Sequence, residues 1–217
     1  MPRLNWRALL ERWRPAHLPE IAPDTHLLSL DVDGVLVRPP EFYGAKLHRE
    51  HPQVMRDFMQ TAFRSASTGK SDLLDHLPML MQHIGREGDP EAFYREWCEY
   101  ENVPDAEMLR ATAALRQQGW RVYLATNQER HRTRHLLEET GLGSLCDGHF
   151  ASYAVGHRKP SADYYTAVTA ALGVAPDRIV FWDDAAENVQ AARAAGWQAC
   201  LFTGVRQFER AMQVQKS

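Results

Sequence analysis

The amino-acid sequence predicts an α/β protein: a Rossmann-like parallel sheet core with an α-helical module inserted behind its first strand. Two observations carry this. From Pro104 onward, short apolar runs alternate with helical stretches, and each helical stretch stops at a glycine: Gly119, Gly141, Gly173 or Gly196. Before Pro104, residues 39–103 scatter Met, Phe, Leu and Trp among charges with few strand-like alternations, and roughly 65 residues is far more than an ordinary connection needs.

The elements follow in order. Residues 1–24 form an N-terminal amphipathic extension: Trp6, Leu9, Leu10 and Trp13 recur at i, i+3, i+4 and i+7, with Arg3, Arg7, Arg12 and Arg14 around the stripe. Pro15, Pro19 and Pro23 end it, so it reads as a short helix packed on its own domain or on a second copy in a homodimer, in preference to a membrane-surface helix. His26 to Asp31 is a buried strand. Residues 39–103 are helical, with starts at His51-Pro52 and Ser71-Asp72 and a turn over Gly85 to Pro90. Then come a helix over Ala106 to Gln118, a strand over Trp120 to Ala125, and a helix over Glu129 to Glu139. A short strand over Gly148 to Ser152 and a helix over Ser161 to Leu172 follow. A strand over Arg178 to Trp182, a helix over Ala185 to Ala195 and a strand over Trp197 to Phe202 close the pattern, and Arg206 to Gln215 is a docked or frayed helix. The core is therefore 25–38 with 104–217, and the insertion is 39–103.

Composition narrows the function classes. A formal net charge of -3 offers no global basic field for nucleic acid. No stretch approaches the roughly 20 apolar residues of a membrane span, and no apolar run of signal-peptide length opens the chain, so a cytoplasmic protein is expected. Three widely spaced cysteines, Cys98, Cys146 and Cys200, read as reduced thiols.

Four short segments each follow a predicted strand, where the C-terminal edge of a parallel sheet gathers ligands. In Asp31-Val32-Asp33, one carboxylate can attack an electrophile while the other moves a proton; the bland alternative is a pair of solvated turn aspartates. Thr126-Asn127 can hold an anion beside a helix start, or simply cap that helix. Lys159, before a proline and a new helix, can neutralise charge on a transferred phosphoryl group, or be an exposed loop lysine. Asp183-Asp184, after an apolar strand, offers oxygen ligands of the kind Mg²⁺ takes, or an acidic helix start.

Together, LDVDGVLV, ATNQ, HRKPSADYY and FWDDAAENV resemble the motifs of the haloacid dehalogenase superfamily of hydrolases over about residues 26–204, and the helical insertion resembles its C1-type cap. The last two segments are similar to the branch of small sugar-phosphate phosphatases such as bacterial glucose-1-phosphate phosphatase. The resemblance implies a Mg²⁺-dependent phosphatase acting on a small phosphorylated metabolite through an aspartyl-phosphate. It makes Asp31 the nucleophile and a metal ligand, and Asp33 the general acid and base whose backbone carbonyl meets the metal. Thr126, with Asn127 beside it, holds the phosphoryl oxygens and Lys159 neutralises charge. Asp184 is a direct metal ligand, and Asp183 acts through metal-bound water. A phosphomutase needs the same four segments. A 2-haloacid dehalogenase is disfavoured because alkyl halide displacement needs no acid such as Asp33, and a non-catalytic relative is disfavoured by the complete set.

His131 and His135 stand at the i, i+4 spacing of a zinc helix, but the basic run Arg132-Thr133-Arg134 between them reads as a solvated helix face. His48 and His51 could face the cap opening and touch substrate, but ordinary cap surface is preferred; Phe42, Tyr43, Lys46 and Arg49 suggest a substrate-binding group that no spacing supports.

Overall fold

Strands buried on both faces need helices on both sides, and parallel strands need crossovers to supply them. The structure, a computed structural model, describes residues 21–214. Strands β1 (Leu27–Leu30), β2 (Arg121–Thr126), β3 (Gly148–Ala151), β4 (Ile179–Asp183) and β5 (Gln198–Leu201) form one sheet in the order β3-β2-β1-β4-β5. Every neighbouring pair is parallel, with Leu30 opposite Leu124 on one side and Trp182 on the other.

The two faces alternate along each strand. Leu28, Leu30, Val180 and Trp182 pack with Met108 and Leu115 of α5 (Ala106–Gln117) and Phe208 of α11 (Val205–Met212). Leu27, Ile179 and Phe181 face the other way, onto Tyr164, Tyr165 and Val168 of α9 (Ala162–Leu172), Val189 of α10 (Ala186–Ala194), and Trp197. The C-terminal helix α11 is docked: Phe208 is fully buried, edge-on to Trp182 at 5.2 Å.

The helices α1 (Tyr43–Glu50), α2 (Pro52–Phe58), α3 (Leu77–His83) and α4 (Pro90–Tyr100) build a separate apolar cluster around Tyr43, Met55, Phe58, Leu77, Phe93 and Trp97. At roughly 1.5–3 kcal/mol for each large buried side chain, such a cluster holds the module as a unit of its own. A π-helical segment, Met59–Phe63, continues α2, and Asp72 caps a short 3-10 turn, Leu74–His76, that leads into α3. The chain enters and leaves the module side by side: Val37 bridges Pro104, and the Arg38 amide donates to Val103 O at 2.8 Å.

Element order agrees with the sequence reading, with most ends shifted by a residue or so and the last helix ending at Met212, short of the expected Gln215. Two short helices, α7 (Leu142–Leu145) and α8 (Ser152–Val155), were not predicted. One expectation is corrected. The helix α6 (Arg130–Glu138) is solvated and basic only at Arg130 and Arg134; its other face, with Arg132, Thr133, His135 and Leu136, is buried. Acids on other elements absorb its charge: His131 meets Asp72 at 2.7 Å, and Arg132 pairs with Asp33 and Glu101. The expected N-terminal amphipathic helix lies largely outside the described residues. Among those described, no helix is long and apolar enough to cross a membrane, and all three cysteines are free thiols.

Candidate active site

The site begins where β1 runs out. The Asp31 amide still donates to Trp182 O at 2.9 Å, so the sheet ladder carries the backbone up to this carboxylate before the chain turns away. Asp31 Oδ1 accepts from the Val32 amide at 2.7 Å and lies 2.9 Å from Lys159 Nζ, while Oδ2 accepts no hydrogen bond among the described residues. One oxygen is thus anchored and the other is left open.

Asp31, Asp183 and Asp184 each turn a carboxylate oxygen to one point, all within 4.8 Å of one another. Gly34 makes this approach possible: at φ +81 it has no side chain, and a Cβ there would lie 2.0 Å from Asp184 Oδ2. Three carboxylates therefore face one ammonium. Burial holds Asp31 well above the usual carboxylate range, with Lys159 opposing and Asp183 adding to the rise. Burial and Asp183 likewise raise Asp184. Burial works against the charge of Lys159, but Asp31 and Asp183 outweigh it and hold the ammonium above the ordinary lysine range. Buried negative charge in excess, on hard oxygen donors, fits a divalent cation.

The acids are not equivalent. Asp183 is fully buried, and both of its oxygens are occupied by Lys159 Nζ at 2.6 Å, Asn188 Nδ2 at 3.0 Å and the Ala185 amide at 2.8 Å. Asp184 is exposed and has no such donors among the described residues. Asp31 and Asp184 are thus the carboxylates left open to a metal, and Asp183 fixes the lysine. Lys159 is anchored a third way, donating to Ala125 O at 2.7 Å.

Asp33 brings no carboxylate to the acidic cluster. Its side chain is held by Gln128 Nε2 at 2.6 Å and Arg132 Nη2 at 3.2 Å. Thr126 ends β2 and is buried. Asn127 spends its amide on the Lys159 peptide, donating to its carbonyl and accepting from its N–H, both at 2.9 Å. It therefore fixes the loop that delivers Lys159.

Sequence reasoning missed Gln128, Arg132, Glu101 and Asn188. Gln128 directly follows Thr126-Asn127, and Arg132 lies one helical turn further on; that spacing was readable, but their shared partner was not. Glu101 comes from the end of the helical module. It pairs with Arg132 at 2.7 Å and also accepts from Trp97 Nε1 and the Tyr43 amide, both at 2.8 Å. Burial raises its carboxyl, with Arg132 opposing.

The family pattern of the haloacid dehalogenase-like hydrolases matches residues 26–196. The chain belongs to that family. Among relatives of this hydrolase, the sesquiterpene phosphatase astK of Aspergillus oryzae is 38% identical over 93 residues, 43% of this chain and 47% of that one, so the match spans about half of that relative. The GMP/IMP nucleotidase YrfG of Escherichia coli is 27% identical over 194 residues, 82% of each chain. Among solved structures, the magnesium complex of the family enzyme bt-2542 of Bacteroides thetaiotaomicron superposes with a TM-score of 0.70 at 18% identity, covering 82% of this chain and 92% of that one. At that identity the likeness shows the shared fold.

Proposed function

We propose that this hydrolase is a phosphatase that removes phosphate from a small phosphorylated metabolite through an aspartyl-phosphate on Asp31. The observation that carries this reading is the pairing of an open nucleophile, Asp31 Oδ2, with a second carboxylate, Asp33, gripped by two donors two residues further on. A leaving alkoxide needs a proton and a leaving halide does not. A fixed acid therefore favours phosphoester chemistry. The relatives' names, a phosphatase and a nucleotidase, support the class and differ in the organic part.

In the first step Asp31 Oδ2 attacks phosphorus and the bond to the substrate's ester oxygen breaks, with Asp33 delivering its proton to that oxygen. In the second, Asp33 takes a proton from water as the water attacks phosphorus. The bond to Asp31 breaks and inorganic phosphate leaves. Thr126 and the peptide N–H groups after it cradle the phosphoryl oxygens, while Lys159 balances their charge. Asp31, Asp184 and the Asp33 carbonyl would hold Mg²⁺, with Asp183 behind them. The metal would supply charge neutralisation that lets an anionic carboxylate approach an anionic phosphate. Residues 39–103 act as the cap over this edge, excluding water during the first step and readmitting it for the second. For the organic part we favour a sugar phosphate, on the likeness of the HRKPSADYY and FWDDAAENV segments.

Phosphate release from p-nitrophenyl phosphate, with and without Mg²⁺, tests the reading. Turnover should require the metal and vanish in Asp31→Asn. Equal turnover by that variant sinks it.

A further inference from the structure

Between the helical module and the core lies a second cleft, of about 390 Å³, whose walls include Arg64, Ser65 and Lys70 from the module and His157, Arg158 and Ser161 from the core. No carboxylate lines it. None of Arg64, Lys70 and Arg158 forms an ion pair with a carboxylate among the described residues. The nearby acid Asp163 is 73% exposed and reaches toward His157 at 3.8 Å.

Arg158 is the informative residue. It is half-buried, and desolvation together with the neighbouring Arg64 disfavours its charge. Its guanidinium donates to Ser67 Oγ at 2.7 Å across the boundary between module and core and lies 5.5 Å from the Phe63 ring centre. That aims the group yet leaves most of its five N–H donors without a hydrogen bond among the described residues. Ser161 caps the eleven-residue helix α9 without spending its hydroxyl on a capping bond and lines the same cleft, while Asp163 sits in the first turn of that helix. Arginines held near each other with no counter-charge, beside a helix start, are stabilised by an anion.

The reacting phosphate is accounted for elsewhere. Lys159 sends its ammonium to Asp31 and Asp183, while its chain neighbour Arg158 lines the cleft. We infer that this cleft is a substrate subsite for a second anionic group, a carboxylate or a further phosphate, carried on the same molecule as the phosphate to be cleaved. This rests on the phosphatase reading above and adds the substrate class to it. An anion there would touch module and core together, so occupancy also draws the two into one arrangement.

The test compares substrate pairs that differ in the second charge: glycerol 3-phosphate with 3-phosphoglycerate for the carboxylate arm, and fructose 6-phosphate with fructose 1,6-bisphosphate for the phosphate arm. The wild-type enzyme with Mg²⁺ should favour the doubly anionic member of at least one pair by tenfold or more in kcat/KM. The arm that shows it identifies the anion. In Arg64→Gln and Arg158→Gln that preference should shrink about tenfold, mainly through KM. Turnover of p-nitrophenyl phosphate that depends on Asp31, with no preference in either pair, overturns the subsite and leaves the phosphatase reading standing. Absence of turnover on every ester overturns the phosphatase reading instead. Calorimetric titration of Asp31→Asn with 3-phosphoglycerate and fructose 1,6-bisphosphate then decides the cleft separately. Binding that weakens in the double variant with Arg64→Gln supports it, and no binding, or unchanged binding, refutes it.

Discussion

The guanidinium of Arg132 reaches Asp33 Oδ1 at 3.2 Å and, through its other terminal nitrogen, Glu101 Oε2 at 2.7 Å. One buried cation thus ties the proposed general acid of the core to the point where the chain leaves the helical module. Glu101 in turn accepts from the first amides of α1, so both chain crossings between module and core converge on this pair. A carboxylate that must give and then take a proton gains from being held in one orientation.

Arg132→Met should therefore hurt twice. It leaves Glu101 buried without its cation, a loss of about 3–5 kcal/mol on the usual scale for a broken buried pair. It also frees Asp33, with turnover falling roughly tenfold to a hundredfold of the range general acid–base catalysis supplies. Arg132→Lys keeps the charge and should recover most of the stability but less of the turnover, because an ammonium cannot span both acids as a planar fork does. Denaturant melts and kcat on p-nitrophenyl phosphate separate the two effects. Wild-type kcat in both variants would remove Arg132 from the positioning role.

Asp33→Asn should retain Mg²⁺ binding while losing roughly 10²–10⁴ in turnover, since the peptide carbonyl survives and the proton transfer does not. Asp184→Ala should instead weaken Mg²⁺. A titration of activity against Mg²⁺ for each variant checks the contrast; similar magnesium dependence in both would count against the ligand assignment.

Gly34→Ala places a methyl group where Asp184 Oδ2 lies, at 2.0 Å, and forces a positive φ on a side chain. Asp184 must move away from Asp31 and Asp183. The expected outcome is a loss of Mg²⁺ affinity of about 10–100-fold, the scale seen when a ligand's support is removed. Calorimetry with Mg²⁺ alone reads it, and unchanged affinity would show that Asp184 is not needed in place.

The pH dependence of stability has a definite sign. Asp31 and Asp184 are held above the range of an unfolded aspartate, mainly by burial. The unfolded chain then releases these protons first as pH rises. This contribution costs the metal-free protein nothing below about pH 4, and the penalty grows as pH climbs from there to the raised values and is constant above them. Mg²⁺ binds the ionised carboxylates, so the rise in Tm on adding Mg²⁺ should be larger at pH 8 than at pH 5. An equal or smaller rise at pH 8 would contradict the assignment of this acid cluster as the metal site.

Much of this arrangement could be read along the chain. The glycine stops at Gly119, Gly141, Gly173 and Gly196 and the apolar runs between them placed the strands and the helices that precede those glycines to within a residue or so, because such signals are local. Asp31, Thr126 and Asp183 could be set at strand ends for the same reason. The basic run of α6 was half legible: Arg134 is exposed, but Arg132 is buried because its partners Asp33 and Glu101 lie on other elements, and its contact to Asp33 spans 99 positions.

By itself, the order of residues determined the strand–helix rhythm, the insertion after the first strand, and which residue types crowd the C-terminal edge of the sheet. The tertiary structure alone decided how those residues divide the work. It turned Asn127 onto the Lys159 peptide and closed both oxygens of Asp183, leaving Asp31 Oδ2 free. It also brought Arg64 and Arg158 into one cleft. The physical reason is range: backbone periodicity acts over a few residues, whereas a hydrogen bond or a charge is satisfied by whatever group the folded chain brings within about 3 Å.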